Sequence, residues 1–272
     1  MITKERPTQA RSTEEFLVCT ELLPALRQRY NTAFALLEIP EVLRSERRPG
    51  EHGTVYFQDY DGEKYDGRWK EENGGGTIGT ELSSEMVQIL RDLRTVDVDW
   101  LLSAHPIGKS VRQSAFDLQG WLLSFQQRKA PGLRTGISDN ELTEAEEFIR
   151  GGFQLEERIF GNGDFYPRNL IKLPAKMVLV DWQYWPGYRA CFVDYLANAA
   201  AFAYIHMWGN SLWQKEFVRR LIETLDVKLD DLRKAILIKS FEQAIFWQQC
   251  APQYVPSQVK HFRMALRDEI FS

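Results

Sequence analysis

Cysteine is scarce in this chain: its 272 residues hold three, Cys19, Cys191 and Cys250, far apart and without a CxxC pair. That spacing argues against a disulfide framework and a cysteine-ligated zinc site, and a reducing, cytoplasmic setting is the expectation. The four histidines, His52, His105, His206 and His261, show no HExxH or other paired spacing, which argues against a histidine metal cluster. Charge is not concentrated in one sign. The 34 basic and 38 acidic residues are spread along the chain, so a net charge of −4 marks neither a nucleic-acid nor a membrane partner. The longest apolar run, Ala199 to Ile205, falls short of the roughly 18 residues that span a bilayer. The opening MITKERPTQARS has no apolar signal-peptide core. No GxSxG elbow is present, so a hydrolase reading has no anchor.

The length suits one or two domains. From Ser12 the pattern is helical, with Ser12 and Glu15 spaced as a capping box and Phe16, Cys19, Leu22 and Leu23 on one face. Pro24 is expected to end or restart this helix. Two strand-like runs follow, Phe34 to Leu43 and Thr54 to Tyr60, and the intervening RRPGEHG makes them read as a hairpin. Beyond Gly62 the composition turns polar and glycine-rich. From Leu82 most segments are helical in period, as in Met86, Ile89, Leu90 and Leu93. The expected division is therefore residues 1–62 and residues 63–272. Strands return once, at Leu170 to Leu173 and Met177 to Val180, before helical segments at 189–207, 212–225, 230–248 and 256–268.

The segment GNGDFYPRNLIKLPAKMVLVDWQ carries the chemistry. It puts Asp164 in a loop, Asn169 at the entry to a strand and Asp181 just past the returning strand, and a hairpin brings its two ends together. Phosphoryl transfer needs a carboxylate to orient an attacking hydroxyl and oxygen ligands for magnesium. These three residues supply that set. On residue types alone they are equally a pair of turn residues and a strand-end cap.

GDFYPRN followed by VLVDWQ resembles the HGDxxxxN and IDW motifs of the aminoglycoside phosphotransferase and choline kinase-like family. The resemblance implies an α+β, protein-kinase-like two-lobe fold with a mainly helical carboxyl-terminal lobe. It implies Asp164 as catalytic base, Asn169 as metal-binding amide and Asp181 as principal magnesium ligand. CFVDYLA resembles the family's downstream DxA helix, in which Asp194 would brace the catalytic loop. Magnesium and ATP, as phosphate donor, are the implied cofactors, and the implied partner is a small-molecule acceptor such as an antibiotic, an amino alcohol or a sugar-like molecule. Two departures stand out: Asn162 replaces the family histidine, and Arg168 replaces the more usual glycine. The first bears on loop geometry; the second is either a surface arginine or a phosphate contact.

With that registration MITKERP resembles the third strand of the amino-terminal lobe, with Lys4 as the phosphate-contacting lysine and Glu15, or Glu14, as its ion-pair partner. TVYFQDYDG resembles the last strand and hinge, whose backbone at Asp59 and Tyr60 would bond adenine. The first two strands and the glycine-rich loop are then absent, and the amino-terminal lobe is truncated. A non-catalytic kinase-like ligand- or partner-binding protein is the alternative. Gly74 to Gly79 satisfies GxGxxG literally but lacks a preceding buried strand, and reads as a connection between lobes. Trp182, Tyr184, Trp185 and Tyr188 either line an acceptor cleft or fill the core behind the hairpin. Glu144, Glu146 and Glu147 either attract a cationic acceptor or form a solvated helix face.

Overall fold

The computed structural model describes residues 5–10, 12–48, 53–64, 77–128, 136–182, 191–207 and 211–271. The chain divides into two compact units, Met1–Ala115 with Arg158–Asp194, and Phe116–Glu157 with Tyr195–Ser272. This division interleaves the chain, whereas the sequence reading placed a single cut after Gly62. The reason is strand pairing, which draws the 170–180 hairpin to the front of the chain.

In the first unit β1 (Glu5–Gln9), β3 (Val42–Glu46) and β4 (Thr54–Gln58) form an antiparallel sheet ordered β1-β4-β3. The expected hairpin is present between β3 and β4, in the register Glu46↔Thr54 to Val42↔Phe57. Its first run is not one strand, however. Pro40 interrupts it, and Leu37 and Glu38 form a separate β2 in a second sheet. That sheet has the order β2-β8-β7-β5, with β5 at Glu63–Lys64, β7 at Leu170–Lys172 and β8 at Met177–Leu179. β2 runs parallel to β8, and β5 and β7 complete an antiparallel edge.

Helices α1 (Thr13–Leu17) and α2 (Leu23–Tyr30) join through a π-turn at Val18–Leu22, and α2 restarts with Pro24 in its first turn, as expected. A proline inside a helix has no N–H for the i−4 carbonyl and crowds it; the wider turn accommodates both while the apolar face continues. Ser12 caps α1 by accepting from the Glu15 N–H at 3.0 Å. The long helix α3 (Thr77–Arg94) buries the expected Met86, Ile89, Leu90 and Leu93. Its Asp92 carboxylate accepts from the backbone N–H groups of Ala35, Leu36 and Leu37 at 3.1, 2.8 and 2.7 Å, and so fixes the entry to β2. Two short helices, α4 (Val98–Ser103) and α5 (Gly108–Gln113), follow.

The second unit is helical: α6 (Leu118–Arg128), α7 (Asp139–Arg150), α8 (Leu196–His206), α9 (Ser211–Leu225), α10 (Leu229–Cys250) and α11 (Val255–Leu266). α10 packs on α8 and α11, burying Leu232, Ile236, Leu237 and Phe241. Ser138 and Glu141 form a complete capping box at the start of α7. Buried Asp231 accepts from the N–H groups of Gln154 and Leu155, both at 2.8 Å. On α7, Glu144 and Glu147 are exposed as expected, but Glu146 is buried and pairs with Arg150.

Candidate active site

The residues that matter sit at the ends of the β7–β8 hairpin, within the first unit. Pairing of Leu170 with Leu179 brings both strand ends level, and the Val180 N–H donates to the Asn169 carbonyl at 2.8 Å. This bond holds Asn169 beside the residue that precedes Asp181. The Asn169 side-chain nitrogen donates to the Asp164 carboxylate at 3.0 Å and to the Asp164 carbonyl at 2.8 Å. Asn169 is therefore locked, and its side-chain carbonyl oxygen takes no part in these bonds. Asp181 adopts a left-handed backbone with φ 61, a conformation that costs energy and that aspartate tolerates better than most residues.

Asn162 is fully buried and holds the loop from behind. Its side-chain oxygen accepts from the Asp164 N–H at 3.2 Å, and its nitrogen donates to the carbonyls of Asp164 at 3.3 Å and Val180 at 3.0 Å. One amide thus ties the Asp164 loop to the strand end that carries Asp181. Gly163 between them has φ 71, where glycine carries no steric penalty. The Tyr166 phenol titrates at about 12: burial raises it most, followed by the negative charge of Asp164, and Asp181 adds to the rise against Arg168. Both carboxylates therefore act on one hydroxyl. Asn162 was marked in the sequence as the residue in the family histidine's place that bears on loop geometry; Tyr166 was not singled out.

A cavity open to solvent lies between β1, the β4–β5 connection and the hairpin. Phe57, Ile171, Val180 and Trp182 give it apolar walls, Asp59 and Tyr60 lie along one edge, and Asp181, Arg6 and Thr8 supply polar groups. Trp182 stacks on Phe160 at 5.8 Å and donates its indole N–H to the Leu179 carbonyl at 2.7 Å. The Tyr60 hydroxyl accepts from the Glu41 N–H at 2.9 Å, which pins the edge. Cys19, in the π-turn, donates to the Trp182 carbonyl at 3.5 Å; burial, then Glu15 and Asp181, pushes its thiol pKa far up.

The remaining expected residues divide. Lys4 lies outside the described residues, as do Tyr184, Trp185, Tyr188 and Gly74 to Gly76. Glu15 is buried on α1, whereas the Glu14 carboxylate accepts from Ser110 at 3.1 Å and Ser114 at 2.7 Å, a role that ties α1 to α5. Arg168 is exposed. Asp194 is buried on β9 (Val193–Tyr195), one residue short of α8 proper. β9 pairs with β6 (Arg158–Phe160), and the Gly161 N–H donates to the Phe192 carbonyl at 2.8 Å, so its strand adjoins the one that feeds the Asp164 loop.

The donors fit a hard divalent cation. Asp181 and Asn169 present carboxylate and amide oxygens, and magnesium commonly takes one or two such protein ligands, completing its shell with water and substrate phosphates. Among the described residues no group of three His, Cys, Asp or Glu is placed to hold a metal ion. No helix among them is long and apolar enough to cross a membrane.

No protein-family model matches the chain, and no curated protein matches its sequence. Solved structures do match its fold. The GDP complex of aminoglycoside 2'-phosphotransferase-IIIa superposes with a TM-score of 0.61 at 10% identity, covering 94% of this chain and 83% of that one. A choline/ethanolamine kinase family protein from Mesorhizobium loti gives 0.56 at 12% identity, over 98% and 80% of the two chains. Amicoumacin kinase hAmiN, in complex with AMP-PNP, calcium and amicoumacin, gives 0.56 at 9% identity, over 97% and 81%. The chain thus has the α+β, protein-kinase-like fold shared by the aminoglycoside phosphotransferases and the choline/ethanolamine kinase family proteins.

Proposed function

We propose that the protein is an ATP-dependent phosphotransferase that moves the γ-phosphate to a hydroxyl of a small molecule. The observation that carries this reading is the set of side-chain bonds from Asn162 and Asn169, which fix the Asp164 loop against the strand end leading into Asp181, beside a cavity with apolar walls and polar groups at its rim. Asp181 and Asn169 would hold magnesium, which neutralises charge developing on the nucleotide phosphates. Asp164 would orient the acceptor hydroxyl and take its proton. The hydroxyl oxygen bonds to the γ-phosphorus as the bond from that phosphorus to the β,γ-bridging oxygen breaks, leaving ADP and a phosphate ester. The purine would lie against Phe57, Ile171 and Val180, with backbone groups at Asp59 and Tyr60 toward its polar edge. Asp194, on the strand beside the loop's entry, would brace it, and Glu15 and Lys4 would form the ion pair of the amino-terminal lobe. An antibiotic, an amino alcohol or a sugar-like molecule is the acceptor class, and the cytoplasm is the setting.

The test is the melting temperature with and without magnesium-ATP. At ten times the dissociation constant, binding to the native state adds roughly 1.4 kcal/mol and raises the midpoint by a few degrees. Asp181→Ala is expected to abolish the rise, and Asp164→Asn to keep it while removing turnover. An equal rise with Asp181→Ala would overturn the assignment. A rise with no turnover on any acceptor hydroxyl would favour the non-catalytic binding protein.

A further inference from the structure

We infer that Cys19 is a positioning residue for Asp181: its thiol holds the residue that follows Asp181 and so helps to set the carboxylate that would bind magnesium. The inference rests on the phosphotransferase reading above and adds a residue that the motifs do not contain. Asp181 has φ 61, and a left-handed residue other than glycine keeps that conformation only where its neighbours hold it. On one side Val180 is bonded through both backbone groups. Its N–H donates to the Asn169 carbonyl at 2.8 Å, and its carbonyl accepts from the Asn162 side chain at 3.0 Å. On the other side Trp182 is fixed at three points: its carbonyl accepts from the Cys19 thiol at 3.5 Å, its indole N–H donates to the Leu179 carbonyl at 2.7 Å, and its ring stacks on Phe160 at 5.8 Å. Leu179 and Phe160 hold it from β8 and β6, and Cys19 holds it from the π-turn.

Packing alone does not ask for a cysteine here. Position 19 lies on the apolar face with Phe16, Leu22 and Leu23, all buried, where an apolar residue of similar size would pack as well. What a thiol adds is one S–H, and Cys19 gives it to the backbone beside Asp181 rather than to its own helix. Thr20, next to it in the π-turn, does the opposite: its hydroxyl donates to the Phe16 carbonyl at 2.9 Å, one turn back. Widened helical turns of this kind are often found at functional sites. The Cys19 bond joins the helix that carries buried Glu15 to the segment that carries Asp181. A residue that fixes the backbone of a metal ligand governs where its oxygens stand, and so how well a cation is shared between protein and phosphate.

The experiment titrates magnesium at fixed ATP and reads the magnesium concentration that half-saturates nucleotide binding, with adenosine as the control that needs no metal. It compares the full chain with its Cys19→Val, Cys19→Ala and Cys19→Ser variants. Cys19→Val keeps the packing and loses the donor, whereas Cys19→Ser keeps a donor but buries a hydroxyl on an apolar face and is expected to melt lower. Positioning therefore sets function against stability. Cys19→Val should raise the magnesium requirement roughly 3- to 10-fold, the span of one lost hydrogen bond, while Cys19→Ser stays within about twofold of the parent despite its lower melting temperature. Cys19→Ala, which also lacks the donor, should match Cys19→Val in magnesium requirement, and adenosine affinity should hold throughout. A magnesium requirement unchanged in both Cys19→Val and Cys19→Ala, or one that follows melting temperature across the three variants, overturns the inference and leaves the nucleotide reading intact. Equal losses for ATP and adenosine overturn it in favour of a general role in packing. A parent chain that binds neither ligand removes the nucleotide reading, and this inference with it.

Discussion

Two buried side chains carry consequences that their sequence context conceals. Asn162 stands where the resembling family has histidine, a change that casts doubt on the loop; in the fold its amide makes three bonds that only a group with both donor and acceptor could make. Asn162→Ala is expected to cost about 3 kcal/mol in denaturant melts, because it leaves buried backbone groups unpaired, and to lower magnesium-ATP affinity alongside. His261 is the other. Its Nε2 meets the Gln214 side-chain nitrogen at 3.0 Å, so Nε2 accepts and Nδ1 carries the proton without a partner. Burial above all, with His206 and Lys260 adding to it, lowers its pKa from 6.5 to about 4. A histidine held neutral when folded contributes its stability above the unfolded pKa and loses it as pH falls from 6.5 toward 4. The slope approaches about 1.4 kcal/mol per pH unit. Comparing melts of the parent and His261→Gln over that window should show the parent's stability falling more steeply. Nothing in sequence identified His261 as more than a scattered polar residue, since its burial depends on where α11 packs.

At the scale of elements, what could be read and what could not separate by distance along the chain. Helical periodicity located α3 and the last three helices within a few residues, and the β7–β8 hairpin was placed correctly, because each is governed by local spacing and turn chemistry. β2 was not seen as a separate strand, since its partner β8 lies about 140 residues away and no local pattern announces a parallel pairing. The π-turn at Val18–Leu22 was missed for a related reason: Pro24 signals disruption, while the apolar face that carries the helix through it depends on what that face packs against. Asp164, Asn169 and Asp181 were read together as a motif, because they lie within one short segment around a hairpin. A prediction belongs here too. A Cβ at Gly62 would lie 2.6 Å from both the Ile171 side chain and the Lys172 carbonyl, so Gly62→Ala must push β5 off β7. It should cost about 1 to 3 kcal/mol in a urea melt and weaken nucleotide binding through the adjoining Asp59–Tyr60 edge.

At the scale of the molecule, interleaving limits how the chain can be cut. The first unit needs both Met1–Ala115 and Arg158–Asp194, since β2 and β5 find their partners only in the later stretch. A fragment ending at residue 115 should therefore lack the dispersed amide spectrum of a folded protein. Adding a separately made 158–194 peptide should restore part of it; a well-dispersed spectrum from the short fragment alone would contradict the pairing scheme.

The parallel alignment of β2 with β8 also sets a schedule for the nascent chain. β1, β3 and β4 are complete by Gln58 and can pair early, but β5 waits for β7, complete at Lys172, and β2 waits until β8 is complete at Leu179. That is about 115 residues of further synthesis beyond Lys64, or roughly 6 to 23 seconds at ordinary translation speeds. Throughout that interval two strand edges are open to the wrong neighbour, so soluble yield should depend on holdase chaperones and on expression temperature more than the stability of the finished fold would suggest.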